Sequence, residues 1–469
     1  MDMRNPFSGN FQRVRAMFGG IVNEAAFRKR IRNFGHLFAG NIGAAALSFF
    51  AVAMAARSLG VELYGVLALV SAFIQAIERF VSFQTWQPLI RYGAALRDQR
   101  RGDDLKSLIK FTFLLDVAAA IAGFALAVSF AFVGADWFNW SAEVTNSLLL
   151  YACVLLFLIN GTPTGVMRLS GRFREIAYFQ VVAMTVRCVL AAAAFYLKAG
   201  LFVFVAIWAA THLLSSLLLV MTGFQELRRL GFEGFLQASV ANMSGRFPNI
   251  WRFSILANLS LTARSSAHQL DTLLVGALAG PAGAGLYHIA KRIAKFAQQA
   301  GQHVQAVVFP DIARLWALGD VAGFRKDVAR TEAVLVILCG VGVVATLLLA
   351  DPVVGLFAGG DFGAAGGMLK VQIVAVAAML AGSVTRAALL CMGRETTVFA
   401  LTISSTVIFF ILAAALLPDF GAIGASYAHA VAGLFIVAAY WIAYRLALRA
   451  GPKAKTQSEG EAPSIDDSF

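Results

Sequence analysis

The sequence predicts an all-α polytopic membrane protein of about twelve transmembrane helices, on three observations. Of its 469 residues, 59% are hydrophobic and only 14% charged, well outside the range of soluble domains. Apolar stretches of about 20 residues, each long enough to cross a bilayer, recur from Phe34 to Tyr444. Lys and Arg, finally, are confined to alternate connections, as the positive-inside rule demands of a multi-pass chain.

Twelve spans are expected, in Phe34–Ala56, Leu63–Ile90, Leu108–Gly134, Thr145–Met167, Ile176–Leu197, Leu201–Thr222, Trp251–Ala277, Gly285–Phe309, Glu332–Phe357, Met368–Met392, Thr397–Leu417 and Ala422–Tyr444. The amino-terminal arm carries Arg4, Arg13, Arg15, Arg28, Lys29, Arg30 and Arg32, and the tail carries Arg445, Arg449, Lys453 and Lys455. With the alternate connections the count on that side is 28, against only Arg57 and Lys198 on the other. Both termini are therefore expected in the cytoplasm. The same asymmetry accounts for most of the +13 net charge, so a nucleic-acid partner is not needed to explain a basic protein.

Residues 1–33 form a basic arm without the apolar core and cleavage site of a signal peptide. Phe7, Phe11, Val14, Phe18 and Ile21 recur there at helical spacing, which fits an interfacial helix; a frayed tail fits nearly as well. A six-span lobe is expected over 34–222, a cytoplasmic connection over 223–250, a second six-span lobe over 251–447 and a disordered tail over 448–469. A weak internal repeat supports the duplication: Leu59-Gly60 precedes Gly65 after the first span, and Ala279-Gly280 precedes Gly285 after the seventh. Cys153, Cys188, Cys339 and Cys391 lie singly in four spans and read as buried thiols, so neither a metal nor a cofactor is expected.

Ionisable groups inside spans are functional candidates by default. The eighth span holds His288, Lys291, Arg292, Lys295, Gln298, Gln299, Gln302 and His303. At 100° per residue these fall within about 140° of one helix face. Leu286, Ile289, Ala290, Ile293, Ala297, Ala300, Val304 and Val308 form the opposite face. Three cations in lipid would cost roughly 2.5–3.5 kcal/mol each, so the helix is expected to face water on one side and lipid or protein on the other. A cationic cavity of that kind calls for an anionic ligand. In the seventh span Ser260, Arg264, His268 and Asp271 share one face. Arg264 is the fourth candidate for binding the anion. Asp271 is expected to act as a gate latch that pairs with cations when cargo is absent, while His268 and His288 flank it as candidate proton sensors.

Glu78 and Arg79 are adjacent in the second span and point about 100° apart, so they are not natural partners. Arg79 is a candidate for the cavity and Glu78 for coupling. Arg187, isolated in the fifth span, either lines the cavity or bonds backbone carbonyls of a neighbouring helix. His212 and His429 are expected to make interhelical hydrogen bonds. Neither a catalytic arrangement nor a phosphate-binding GxxxxGK[ST] loop is visible. The chain therefore reads as a non-enzymatic secondary transporter, unless a partner supplies ATP.

Several segments resemble the polysaccharide-type flippases of the multidrug/oligosaccharidyl-lipid/polysaccharide exporter superfamily. They are Ala56-Arg57-Ser58-Leu59-Gly60-Val61-Glu62-Leu63-Tyr64-Gly65-Val66, Leu270-Asp271-Thr272-Leu273-Leu274-Val275-Gly276, and Gly285-Leu286-Tyr287 with Ala290-Lys291-Arg292. The Phe309-Pro310 exit followed by Gly319-Asp320, and Gly421-Ala422-Ile423-Gly424-Ala425-Ser426, complete the set. The resemblance implies two pseudo-symmetric six-helix lobes in a V around a central cationic cavity, in a bacterial inner membrane. It also implies a polyprenyl diphosphate-linked oligosaccharide as cargo, for O-antigen or exopolysaccharide synthesis by alternating access, and fits the lipid II and drug-extruding branches less well. Membrane lipids, a polysaccharide polymerase and glycosyltransferases are the partners to expect, with the transporter a monomer. Export of small organic anions, or a scaffold role in a synthesis complex, are the alternative readings.

Overall fold

Backbone polar groups in hydrocarbon have to be satisfied within the chain, and all regular structure among the described residues is helical. The computed structural model describes residues 25–99, 101–138 and 141–449, with side chains from Gly43 onward except at 98, 135–138, 256–257, 259–269, 297 and 299–311. The basic arm to residue 24 and the tail from residue 450 lie outside that range. The helices are α1 Ala25–Val81, α2 Trp86–Asp98, α3 Gly102–Phe138, α4 Ala142–Ala152, α5 Gly161–Leu169, α6 Phe173–Tyr196, α7 Leu201–Arg229, α8 Met243–Arg246, α9 Ile250–Ala317, α10 Val321–Ala358, α11 Ala364–Cys391, α12 Glu395–Phe420 and α13 Ala422–Arg449. Nine helices among the described residues are long and apolar enough to cross a membrane, or ten when the bent pair Ala142–Phe157 and Gly161–Leu169 counts as one.

The difference from twelve separate spans has a physical cause. Spans one and two form the single helix α1, and spans seven and eight the single helix α9. Straight helices of 57 and 68 residues would run about 85 and 100 Å, some three times the hydrocarbon thickness. Each is broken at one residue, Gly60 with φ 71° or Gly280 with φ 72°. That left-handed backbone is open to glycine at no steric cost. The interrupted repeat read from the sequence is therefore built twice.

The two kinks also touch. A Cβ on Gly65 would stand 1.8 Å from the Pro281 carbonyl oxygen, and one on Gly285 would stand 2.5 Å from that of Val61. Pro281 follows the second kink as Val61 follows the first, so the contact is reciprocal, as a local twofold requires.

Packing separates two compact units, one running to Gly285 and including Phe357–Asp361, the other made of Leu286–Leu356 and the chain from Phe362 on. In the first, α1 packs on α6, α2 on α5, and α7 on both α5 and α6. The connection after α7 is part of this core. Phe235, Met243 and Phe247 are buried with Leu89, Leu105, Leu108 and Ile250. Lys110 Nζ donates to the Ala238 carbonyl at 2.9 Å and Arg246 Nη1 to Ser107 Oγ at 2.9 Å. In the second unit α13 packs against α11 and α12, around Phe324, Val384, Leu389, Ile436, Tyr440 and Tyr444.

Candidate functional site

Two places in the membrane region hold chemistry, one in each unit. In the first unit two helices are discontinuous. Residues 82–85 separate α1 from α2, with Gln84 at φ 50°. The 3-10 turn Cys153–Phe157 and residues 158–160 separate α4 from α5. A break in mid-span exposes backbone groups that need partners, and Asp116 of α3 supplies them. It is 7% exposed, and its Oδ1 accepts from Thr85 Oγ1 at 2.6 Å. Its Oδ2 accepts from Thr162 N at 2.7 Å and Thr162 Oγ1 at 2.8 Å. A carboxylate at the first turn of α5 also meets the positive end of the helix dipole. The other side of the break is closed by Ser216 of α7, which stands 2.6 Å from the Phe157 carbonyl oxygen and 2.7 Å from Asn160 Oδ1. Only glycine fits at 161, where a Cβ would lie 1.9 Å from Thr85 Oγ1 and 2.6 Å from Asp116 Oδ1.

A cavity of about 50 Å³ adjoins this junction, lined by Glu78, Ser82, Asp116, Asn160 and Gly161 among others. Glu78 faces His212 of α7, with Oε2 and Nε2 3.8 Å apart, and His212 Nδ1 lies 3.5 Å from Tyr151 Oη. The interhelical role expected for His212 is thus observed. His429 packs against Phe409, with ring centroids 5.0 Å apart and the planes tilted by 49°. Arg187 is half-buried and bonds across to α7, with Nε donating to Thr211 Oγ1 at 2.8 Å and Nη2 to the Trp208 carbonyl at 3.3 Å. The bond to a backbone carbonyl of a neighbouring helix, one of the two readings of Arg187, is present at Trp208. Arg79 is exposed, while Glu78 is only half so.

The sequence reading gave the Asp116 junction no role. Asn160-Gly161-Thr162-Pro163 is a turn signal inside an apolar stretch and could have marked the break.

In the second unit, the arm of α9 after Gly280 carries the cationic face. Ile289, Ala290 and Ala294 are 0%, 0% and 2% exposed, so one side of the arm is packed against protein. His288, Lys291, Arg292 and Gln298 are half-buried and Lys295 is exposed. Lys291 Nζ sits 5.9 Å from the centroid of the buried Tyr287 ring, one turn earlier. Lys291 stands eleven residues beyond Gly280, about 16 Å along the helix and close to half the hydrocarbon thickness. Gln299, Gln302 and His303 lie outside the described side chains, as do Arg264 and His268. Asp271, in the first unit, is 1% exposed, and its Oδ1 accepts from Thr272 N at 2.5 Å and Thr272 Oγ1 at 3.2 Å. Among the described residues no group of three His, Cys, Asp or Glu is arranged to hold a metal.

The model of the family described as "Polysaccharide biosynthesis protein" matches residues 54–365. The chain belongs to that family. It is 27% identical over 349 residues to the inner membrane protein YghQ of Escherichia coli (strain K12), covering 72% of this chain and 94% of that one. Among solved structures it is similar to an inward-facing multidrug resistance MATE family transporter of the MOP superfamily. There the TM-score is 0.71 at 17% identity, over 87% of this chain and 95% of the other. The lipid II flippase MurJ in an inward closed conformation gives 0.69 at 13% identity, over 87% of each chain. The chain shares the polytopic helical fold of these two structures. The protein is thus a multi-pass membrane protein of the polysaccharide biosynthesis family.

Proposed function

We propose that the protein flips a polyprenyl diphosphate-linked oligosaccharide across the bacterial inner membrane by alternating access, for O-antigen or exopolysaccharide synthesis. One observation carries the reading: Lys291, Arg292 and Lys295 share a face of a membrane-depth helix whose opposite side is sealed by Ile289, Ala290 and Ala294. Three cations clustered on one partly exposed face at that depth favour an anionic ligand. A diphosphate would gain charge-assisted hydrogen bonds there that replace its lost hydration. The sugar would travel with the diphosphate while the polyprenyl tail stays in lipid. Family membership and a fold shared with a lipid II flippase support a lipid-linked cargo.

The test is binding and translocation of a polyprenyl diphosphate glycan by Lys291→Ala/Arg292→Ala/Lys295→Ala. Both should be lost while the protein still inserts and folds. A variant that transports normally would leave the scaffold reading, and preserved affinity for small anions with no lipid-linked cargo would leave anion export. Single cysteines on a background lacking the four native ones should label at 288, 291, 295 and 302 with water-soluble thiol reagents. Labelling at 289, 293 and 297 instead would refute the orientation.

A further inference from the structure

A second basic site lies in the second unit, away from the arm of α9. Between the start of α10 and the end of α13 a cavity of about 830 Å³ is lined by Arg325, Lys326, Arg445 and Arg449, with Glu332, Trp441 and Tyr444 among the other residues. On α10 Arg325 and Glu332 stand two turns apart with Lys326 next to Arg325, and on α13 Trp441, Arg445 and Arg449 recur at one-turn spacing. The four cations face a single carboxylate, and that one is engaged: Glu332 Oε1 accepts from Thr385 Oγ1 at 3.0 Å. All four cations are exposed, and the volume is that of a ligand pocket rather than of a packing defect.

The level of the pocket in the membrane follows from the chain. Between Glu332 and Asp351 of α10 run 18 residues without a charge, about 27 Å of helix, close to the thickness of the hydrocarbon. Glu332 therefore marks the edge of the hydrocarbon, and Arg325 and Lys326 stand one to two turns outside it, at the level of lipid headgroups. Trp441 is 42% exposed and stacks under Arg445, whose Cζ is 3.7 Å from the ring centroid. An indole at the border between apolar and wet surroundings is an interfacial anchor. Inward along the same two helix faces come Val336, 51% exposed, and Leu434, 54% exposed, an apolar surface for acyl chains directly beneath the cations.

We infer that this pocket between α10 and α13 binds the phosphate headgroup of an anionic membrane phospholipid. The bound lipid would sit with its diester among Arg325, Lys326, Arg445 and Arg449 and its chains along Val336 and Leu434. Basic pockets between helices at a membrane surface take phosphate-bearing headgroups in this way. Such a lipid is a resident of the protein, distinct from any transported cargo. A soluble phosphate presents the same chemistry without the chains, which separates the two sources.

The experiment uses the full chain in nanodiscs of phosphatidylcholine doped with cardiolipin or phosphatidylglycerol, with retained lipid read by native mass spectrometry. Wild type should retain the anionic lipid over phosphatidylcholine, and Arg325→Ala/Arg445→Ala/Arg449→Ala should lower that retention about tenfold. Arg228→Ala/Arg229→Ala, which removes exposed cations of the first unit, should leave it unchanged. Equal retention by the triple variant, or an equal loss in the control variant, overturns the proposal. So does displacement of the lipid by millimolar inorganic pyrophosphate at unchanged ionic strength, which would mark the pocket as a site for soluble phosphate. Because the substituted side chains are exposed, folding is checked by the thermal transition of each variant. If the triple variant fails to fold, Arg449→Ala alone replaces it, and unchanged retention there has the same overturning force.

Discussion

Replacing Asp116 by Ala removes the acceptor that closes two helix breaks at once. Three donors lose their partner: Thr85 Oγ1, Thr162 Oγ1 and Thr162 N. A buried donor left unsatisfied costs about 1–3 kcal/mol, which would sum to about 3–9 kcal/mol if nothing relaxed. Two effects reduce it. The hydroxyls can rotate toward other acceptors, and the adjoining cavity of about 50 Å³ has room for water, which needs about 10–15 Å³ per molecule. The backbone N–H of Thr162 has no such freedom. The expected loss is about 2–4 kcal/mol for Asp116→Ala. For Asp116→Asn, whose amide oxygen can still accept from Thr162, about 1 kcal/mol is expected. Reversible unfolding in mixed micelles measures both. A cycle with Thr85→Val should show a coupling of about 1 kcal/mol or more, since the two side chains share one bond. If Asp116→Ala unfolds within about 0.5 kcal/mol of wild type, the carboxylate does not hold the junction and the reasoning fails.

Gly65→Ala and Gly285→Ala each drive a methyl into a backbone carbonyl that cannot yield, so each should lower the thermal transition. Gly340→Ala, with nothing within 4 Å of its Cβ, should not. Reporter fusions at Glu461 and near Gly234 should give cytoplasmic signals, and a periplasmic signal at either would undo the topology read from the charge split. Asp271→Asn should impair transport of the lipid-linked glycan while leaving its binding intact or tighter; markedly weaker binding by a folded mutant would make Asp271 a cargo ligand or a structural counter-ion.

How legible the molecule is from sequence depends on whether a feature is local. The kinks at Gly60 and Gly280 announce themselves by glycine spacing, and the cationic face of α9 by helical period. The break before Gly161 has only the short turn signal Asn160-Gly161-Thr162-Pro163, which a hydropathy window averages away. The groups that make the break tolerable are also remote: Asp116 and Ser216 lie 46 and 56 positions from the residues they bond. The connection after α7 reads as a loop, yet Phe235, Met243 and Phe247 belong to the core. Its apolar residues carry no period that would predict this.

The intramembrane charges fall into two kinds, and the distinction bears on where cargo binds. Asp116 has each carboxylate oxygen engaged by donors of its own unit, and Arg187 spends Nε and Nη2 on Thr211 and Trp208. Groups held in this way have been desolvated by folding and recompensed by fixed partners. Recruiting them for a ligand would mean breaking short bonds in a low dielectric, where an unpaired polar group is most costly. Lys295 and its neighbours on α9 differ in setting. Their helix is anchored by the buried Ile289, Ala290 and Ala294, so the arm can stay in place whatever its polar face does. That face is half to fully exposed, so a ligand bound there would leave the packed side of the helix intact. By this criterion the exposed face of α9 suits the proposed anion better than the Asp116 junction, whose bonds join the broken helices of the first unit.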